Sequence, residues 1–346
     1  MKKLCLFSLL CLATLSSKAQ DIDALLAAGV DNAERFANDY LSPATDGLIH
    51  SMNAGWFNTA DAKPLGGFEI SLIANAAVFK DEHKSFLMDM ADYNSPDQDF
   101  TVTFDDPSDP SGAKMVASAL GDNNQNIDII VTYDDPILGE QQETITLPGG
   151  IGNSTGNLLP TAFIQGAIGL VKGIEVKARF IPSIKTDDVS IKMYGAGIQM
   201  EFTKWLPADK LLPVAISGLV AYTHLDGKYN LTDSSGISGN DQRLETGTNT
   251  VLLQLIASTK LPVINFYGGL GYISGKSNSD LLGSYTVNNG PLFQQTITDP
   301  FSVSSKVSAV RGTIGTKLKL SFFRLNAEYH ISDYNAFSVG VNFGFR

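Results

Sequence analysis

The sequence predicts an all-β fold: a closed antiparallel transmembrane β-barrel of about ten strands, with twelve or fourteen also open, preceded by a helical segment. Three observations predict it. The first is the chain's ending, where positions 337, 339, 341, 343 and 345 are Phe, Val, Val, Phe and Phe, while 338, 340, 342, 344 and 346 are Ser, Gly, Asn, Gly and Arg. Successive strand side chains point to opposite faces, so one face is apolar and the other small or polar. The second is that the preceding segment repeats this, with Phe323, Leu325, Ala327, Tyr329 and Ile331 opposite Arg324, Asn326, Glu328 and His330. Strands of about ten residues with one apolar face suit a membrane barrel, whereas sandwich strands run to ~5–6 residues. The third is that the connections between such strands alternate between short and long.

Taken in order, residues 1–19 read as a cleaved secretory signal peptide. Lys2 and Lys3 precede an apolar run from Leu4 to Leu15, and Ser17-Lys18-Ala19 offers small residues for cleavage. Both cysteines of the chain, Cys5 and Cys11, lie in that segment, so the expected mature chain has no disulfide, thiol catalyst or cysteine metal site. The formal charge of −11 becomes −14 once Lys2, Lys3 and Lys18 are removed, which disfavours nucleic acid as a partner. After the signal, no stretch reaches the ~18–20 apolar residues of a membrane helix; the longest candidate, 211–222, is broken by Pro213 and Gly218.

Residues 20–60 are expected to form a helical plug or hatch. Ile22, Leu25, Leu26, Val30, Ala33, Phe36, Ala37 and Tyr40 recur at three- and four-residue steps opposite an acidic face, Pro43 stops this helix, and a second short one reaches Asn53. The barrel occupies 61–346, with strands expected at 67–80, 161–171, 173–182, 189–203, 212–226, 246–261, 262–275, 302–320, 321–332 and 335–346. With both termini inside, the outer connections are 81–160, 183–188, 227–245, 276–301 and 333–334, and no inner connection exceeds about eight residues, as bacterial barrels require. Aromatics fall where girdles are expected: Tyr222, Tyr272, Tyr329 and Phe337 outside, Trp205, Phe323, Phe343 and Phe345 inside.

The insertion at 81–160 is strongly acidic, with 15 Asp and Glu against Lys84 and Lys114 between 81 and 143. Its alternating pieces are compatible with a small extracellular β-domain or with two or four more barrel strands. Clustered Asp and Asn oxygens on its turns suit Ca²⁺, and equally suit a solvated acidic loop, so metal binding stays open.

Glu175, Lys177, Arg179, Glu201, Arg311, Lys317, Arg324 and Glu328 fall on the polar parity of their strands and are expected to face the lumen. There they either pair across strands and fill a narrow interior, or line a polar conduit or hatch-docking surface. At the outer rim, His330 with Asp333 and His224 with Asp226 suggest a water-activating pair, or plain solvated loop residues. No serine-hydrolase elbow or zinc-protease helix motif is present, so no enzyme activity and no cofactor are expected.

The signal ending in Ser-Lys-Ala-Gln, the helical start and the Asn53-Ala-Gly-Trp-Phe-Asn-Thr-Ala60 link resemble outer-membrane barrels of Bacteroidota-type bacteria. The arrangement is similar to that of FadL-type hydrophobic-compound channels, in which an N-terminal hatch fills a fourteen-stranded barrel. That resemblance implies passive transport or binding of a small hydrophobic compound, with outer-membrane lipid and the barrel-assembly machinery as partners. The competing reading is a non-transporting structural or interaction barrel that displays its acidic loop.

Overall fold

The computed structural model describes residues 26 and 28–345, apart from 124–125, 136–137, 187, 208–211, 232–238 and 289–293. The segment read as a signal peptide, with Cys5 and Cys11, and the first turn of the expected helix lie outside the described residues.

The first described helix, α1 (Val30–Met52), is continuous through Pro43. This corrects the expectation of a stop at Pro43 and a separate second helix. A proline inside a helix removes one backbone bond and strains the preceding turn. Here the surrounding groups are held from outside the backbone ladder: Ser42 Oγ donates to the Asn38 carbonyl at 2.7 Å, and Tyr334 Oη donates to the Pro43 carbonyl at 2.7 Å. Tertiary contact therefore carries the helix past the break.

Strand β1 (Phe68–Val78) is followed by five short strands, β2 (Ser85–Asp89), β3 (Phe100–Phe104), β4 (Ala113–Ala117), β5 (Asp128–Asp135) and β6 (Gly139–Thr146). Long strands resume with β7 (Leu158–Val171), β8 (Ile174–Lys185), β9 (Val189–Glu201), β10 (Val214–Asn230), β11 (Gly239–Thr259) and β12 (Ile264–Asn288). A short β13 (Gln294–Thr298) folds back on β12, and β14 (Phe301–Leu320), β15 (Phe323–Ile331) and β16 (Asn335–Phe345) complete the chain. Strand β1 pairs with both β7 and β16, and β11 pairs with β12, so ten antiparallel strands close a ring. Closure removes every edge a membrane sheet would otherwise leave unpaired.

The acidic connection adds no strand to this ring. It folds into a two-stranded sheet, β2–β4, and a three-stranded sheet, β3–β5–β6, forming a separate cap. Its core joins the upper half of α1: Phe36, Tyr40, Leu41 and Ala44 bury against Met88, Met90, Val102, Phe104, Val116, Ile129, Val131 and Ile145. Tyr40 Oη donates to the Gly149 carbonyl at 2.7 Å, and Ala119 N donates to the Tyr40 carbonyl at 2.9 Å. His83 of the cap stacks on Tyr334 of the β15–β16 turn with ring centroids 3.9 Å apart, and burial there lowers its pKa.

The outward face of the barrel is a continuous apolar belt. On β10 it runs over Val214, Ile216, Gly218, Val220 and Tyr222, and on β16 over Phe337, Val339, Val341, Phe343 and Phe345. Beyond Tyr222 the outward residues of β10 become His224, Asp226, Lys228 and Asn230, while the inward ones become Leu225 and Tyr229. The same reversal occurs on β11 and β12, where inward Leu244, Leu281 and Tyr285 pack on Leu26 and Ala33. These strands therefore continue past the belt as ordinary water-facing sheet, polar outside and apolar inside. This is why β10 to β12 outrun the expected segments, and why Tyr222 and Tyr272 lie mid-strand at the belt's edge, not at the strand ends.

Candidate functional site: the occupied lumen

The strand turns define two ends. One carries the tight turns 172–173 and 321–322; the other carries the cap and the longer loops. The chain enters at the loop end, where Leu26 meets Tyr229, Leu231 and Tyr285, and descends through the barrel to the turn end before β1 begins. Halfway down, Ile49, Trp56 and Phe57 bury against Leu219, Leu252, Ile256, Ile273 and Val307, and Met52 against Ile73, Phe163, Ile181, Met193 and Leu225. Gly275 of β12 admits Ile49 closely, since a Cβ there would stand 2.6 Å from Ile49 Cγ2.

Below α1 the chain turns at Gly55, with φ +71°, where a Cβ would approach Ile73 Cγ2 to 2.8 Å. Only glycine fits both that backbone conformation and that contact. The turn places Trp56 over Arg179, whose guanidinium carbon is 3.6 Å from the indole centroid and 4.0 Å from the Phe163 centroid. Arg179 also donates to the Met52 and Ala54 carbonyls at 2.8 and 3.1 Å and to Gln165 Oε1. The arginine thus ties the wall to the segment threaded through it.

Residues 58–63 then cross a charged layer. Glu69 accepts from Arg324 Nη1 at 2.7 Å, Lys317 Nζ at 3.0 Å and Asn58 Nδ2 at 2.9 Å. Lys317 Nζ also donates to Asn58 Oδ1 at 2.7 Å. Glu175 holds Lys63 through both its backbone N–H and its ammonium, and pairs with Lys177 at 3.1 Å. Glu201 accepts from Ala62 N at 2.7 Å and pairs with Lys204 at 3.1 Å. Gln199 donates to the Thr59 carbonyl at 3.0 Å, and Ser217 donates to the Ala60 carbonyl.

Of the eight residues singled out on polar parity, Glu175, Lys177, Arg179, Glu201, Arg311, Lys317 and Glu328 are at most 4 % exposed, and the Arg324 side chain is 15 % exposed. Their strand neighbours Phe180 and Val310 are 46 % and 71 % exposed on the other face. Arg311 donates to the His50 carbonyl of α1, and Glu328 accepts from Tyr267 Oη at 3.0 Å and Asn326 Nδ2 at 2.9 Å. The sequence reading missed Glu69, Asn58 and Lys63. Glu69 shares the polar parity of β1, between outward Phe68 and Ile70, so alternation could have marked it; nothing in the pattern marks Lys63.

The rim pairs fare differently. His330 is not at the rim beside Asp333: it is 1 % exposed inside the barrel, bonded to Thr313 Oγ1 and Ser338 Oγ at 2.9 Å each. His224 does meet Asp226, at 3.0 Å, but on the outward face, with Asn249 Oδ1 at 2.8 Å on its other nitrogen. Among the described residues no cluster of three or more His, Cys, Asp or Glu is arranged around a metal position.

The chain belongs to a family of unknown function, DUF6588, whose model matches residues 1–345. No curated protein matches it. It is similar to the translocator domain of autotransporter NalP from Neisseria meningitidis, at 12 % identity and TM-score 0.30, covering 83 % of this chain and 90 % of that one. It is also similar to the outer membrane protease OmpT from Escherichia coli, at 8 % identity and TM-score 0.25 over 84 % and 99 % of the two chains. The outer membrane channel DcaP of Acinetobacter baumannii follows, at 12 % identity and TM-score 0.19 over 84 % and 100 %.

Proposed function

We propose that this is an outer-membrane barrel closed by its own N-terminal segment, with the acidic cap on the cell exterior as its working surface. The apolar belt supports the membrane reading. On β10 it covers the nine residues from Val214 to Tyr222, close to the ~9–11 that a tilted strand needs to cross a bilayer. The short-turn end then faces the periplasm and the capped end the exterior, and the segment 1–19 is the signal for export. One observation carries the closure: residue 26 and residues 28–67 run from one mouth to the other, and the segment is bonded to the wall at each level.

Passive uptake of a small hydrophobic compound is the second reading, and one observation favours it. Part of the wall beside residues 49–57 is apolar, with Leu219, Leu252, Ile256 and Ile273 buried against Ile49, Trp56 and Phe57, so displacing this segment would expose an apolar surface above the charged layer.

Conductance across a planar bilayer is the test. The complete barrel is expected to be electrically silent, and a variant lacking 26–62 to conduct. Because the deletion also strips the wall of its buried partners, Trp56→Ala combined with Arg179→Ala serves alongside it and is expected to give intermittent opening. Steady conductance by the complete protein would overturn the closed-barrel reading.

A further inference from the structure

Outside the lumen, strands β8 to β12 carry two hollows, one above the other, on the outward face. The upper one, about 550 Å³, lies beyond the belt and is lined by Lys185, Lys192, Lys228, Asp226, Glu245 and Asp280. The lower one, about 880 Å³, lies within the belt and is lined by Ile198, Met200, Val220, Leu253, Leu255 and Tyr272. Gly218 keeps the lower hollow open, since a Cβ there would stand 3.0 Å from the Phe202 ring.

Between the upper hollow and the belt runs a row of outward residues: Tyr194, His224, Asn249, Lys276 and Lys306 face one another across five neighbouring strands. Lys276 and Lys306 stand directly opposite, and among the described residues neither has a carboxylate partner. Like charges so placed destabilise a sheet unless an anion offsets them.

We propose that this face binds a phosphorylated, acylated sugar lipid of the outer leaflet. Its phosphate meets Lys192, Lys228 and Lys276 at the level where the belt ends. Its sugar hydroxyls donate to Asp226, Glu245 and Asp280, and its acyl chains lie in the apolar hollow below. The three carboxylates stand among partners of their own, Asp226 with Lys192 at 3.0 Å, Glu245 with Arg243 at 2.8 Å and Lys228 at 4.0 Å, and Asp280 with the Ser302 hydroxyl. Bare phosphate would meet their repulsion beside the lysines' attraction, whereas a phosphorylated sugar also offers hydroxyls to the same oxygens. The apolar hollow under the same strands gives acyl chains a seat that bare phosphate cannot use. This inference rests on reading the belt as the membrane zone.

Native mass spectrometry of the complete detergent-purified barrel tests it. The probes are a monophosphorylated, acylated glucosamine disaccharide and the same lipid without its phosphate, with inorganic phosphate as competitor. One phosphorylated lipid is expected to bind saturably and to resist millimolar inorganic phosphate. Removing the phosphate, or substituting Lys192→Gln, Lys228→Gln and Lys276→Gln together, should weaken binding by on the order of a hundredfold, about fivefold per lysine. Gly218→Trp, which fills the lower hollow without touching a charge, should also weaken it. Equal binding of the phosphate-free lipid, unsaturable uptake, unchanged affinity in the triple variant or full displacement by inorganic phosphate would each overturn the proposal. Fractionation of the unaltered protein separates the two readings. A barrel that stays in the outer membrane without retaining lipid defeats this inference alone, and a barrel absent from that membrane defeats the reading beneath it.

Discussion

Glu69→Gln is expected to destabilise the closed barrel by about 3–5 kcal/mol, the cost of leaving buried cations without their counter-charge. Glu69 is 2 % exposed and its carboxylate holds Lys317 Nζ at 3.0 Å, Arg324 Nη1 at 2.7 Å and Asn58 Nδ2 at 2.9 Å. The amide keeps the shape but loses the charge, so Lys317 and Arg324 are left facing each other in a layer already holding Lys63. The effect belongs to the pairing and not to the volume of one side chain. Adding Lys317→Met should therefore recover more than half of the loss, because a buried pair replaced by apolar groups costs little. Denaturant unfolding in detergent, followed by heat-modifiable gel migration, measures both variants. A loss below about 1 kcal/mol for Glu69→Gln, in the range of exposed ion pairs, would mean that this layer is open to water.

Trp56→Ala should cost a similar amount, about 3–5 kcal/mol, for a buried aromatic removed from a packed site. Trp56 is 1 % exposed, stacks on Arg179 and reaches Gly197, where a Cβ would stand 3.1 Å from Cζ3. Its loss removes the indole from one face of the Arg179 guanidinium and frees the turn at Gly55. The damage should concentrate in the threaded segment. Hydrogen exchange at 53–67 is expected to accelerate far more than exchange in β14 to β16, whereas Trp56→Phe should retain most of the protection. Uniform acceleration through all ten strands would show that the ring is part of the barrel's general core and not the fastening of its plug.

The fold was legible because alternate residues follow opposite rules, apolar on the outward face and small, polar or charged on the inward one. Along β15 and β16 the rule is unbroken, and the ten strands follow from it. Where the strands leave the belt the rule inverts. Leu225 and Tyr229 turn inward while Asp226 and Lys228 turn outward, so an alternation read with one fixed parity loses the ends of β10 to β12. Pro43 misled for a related reason. A local rule ends the helix there, and the bond from Tyr334, nearly three hundred residues away in sequence, holds it together. The parity of Arg179 or Glu175 names a face, but carries no information on what occupies the space that face encloses. That occupant is Asn53–Ala60, whose Gly55, Trp56 and Asn58 gain their meaning only from Ile73, Arg179 and Glu69 on three separate parts of the wall.

The central claim is that the chain threads its own barrel, and cysteine cross-linking in whole cells tests it most directly. The expected mature chain carries no native thiol, since Cys5 and Cys11 lie in the segment read as a signal. Ser51 Oγ and Thr161 Oγ1 are 2.7 Å apart, and Thr59 Oγ1 and Ser258 Oγ are 3.2 Å apart, one contact in the upper lumen and one near the turn end. The pairs Ser51→Cys with Thr161→Cys and Thr59→Cys with Ser258→Cys should each oxidise to a disulfide in nearly all molecules, with a shifted band on non-reducing gels and conductance still silent. Free thiols at all four positions, labelled by a membrane-impermeant reagent in correctly folded barrels, would contradict the account.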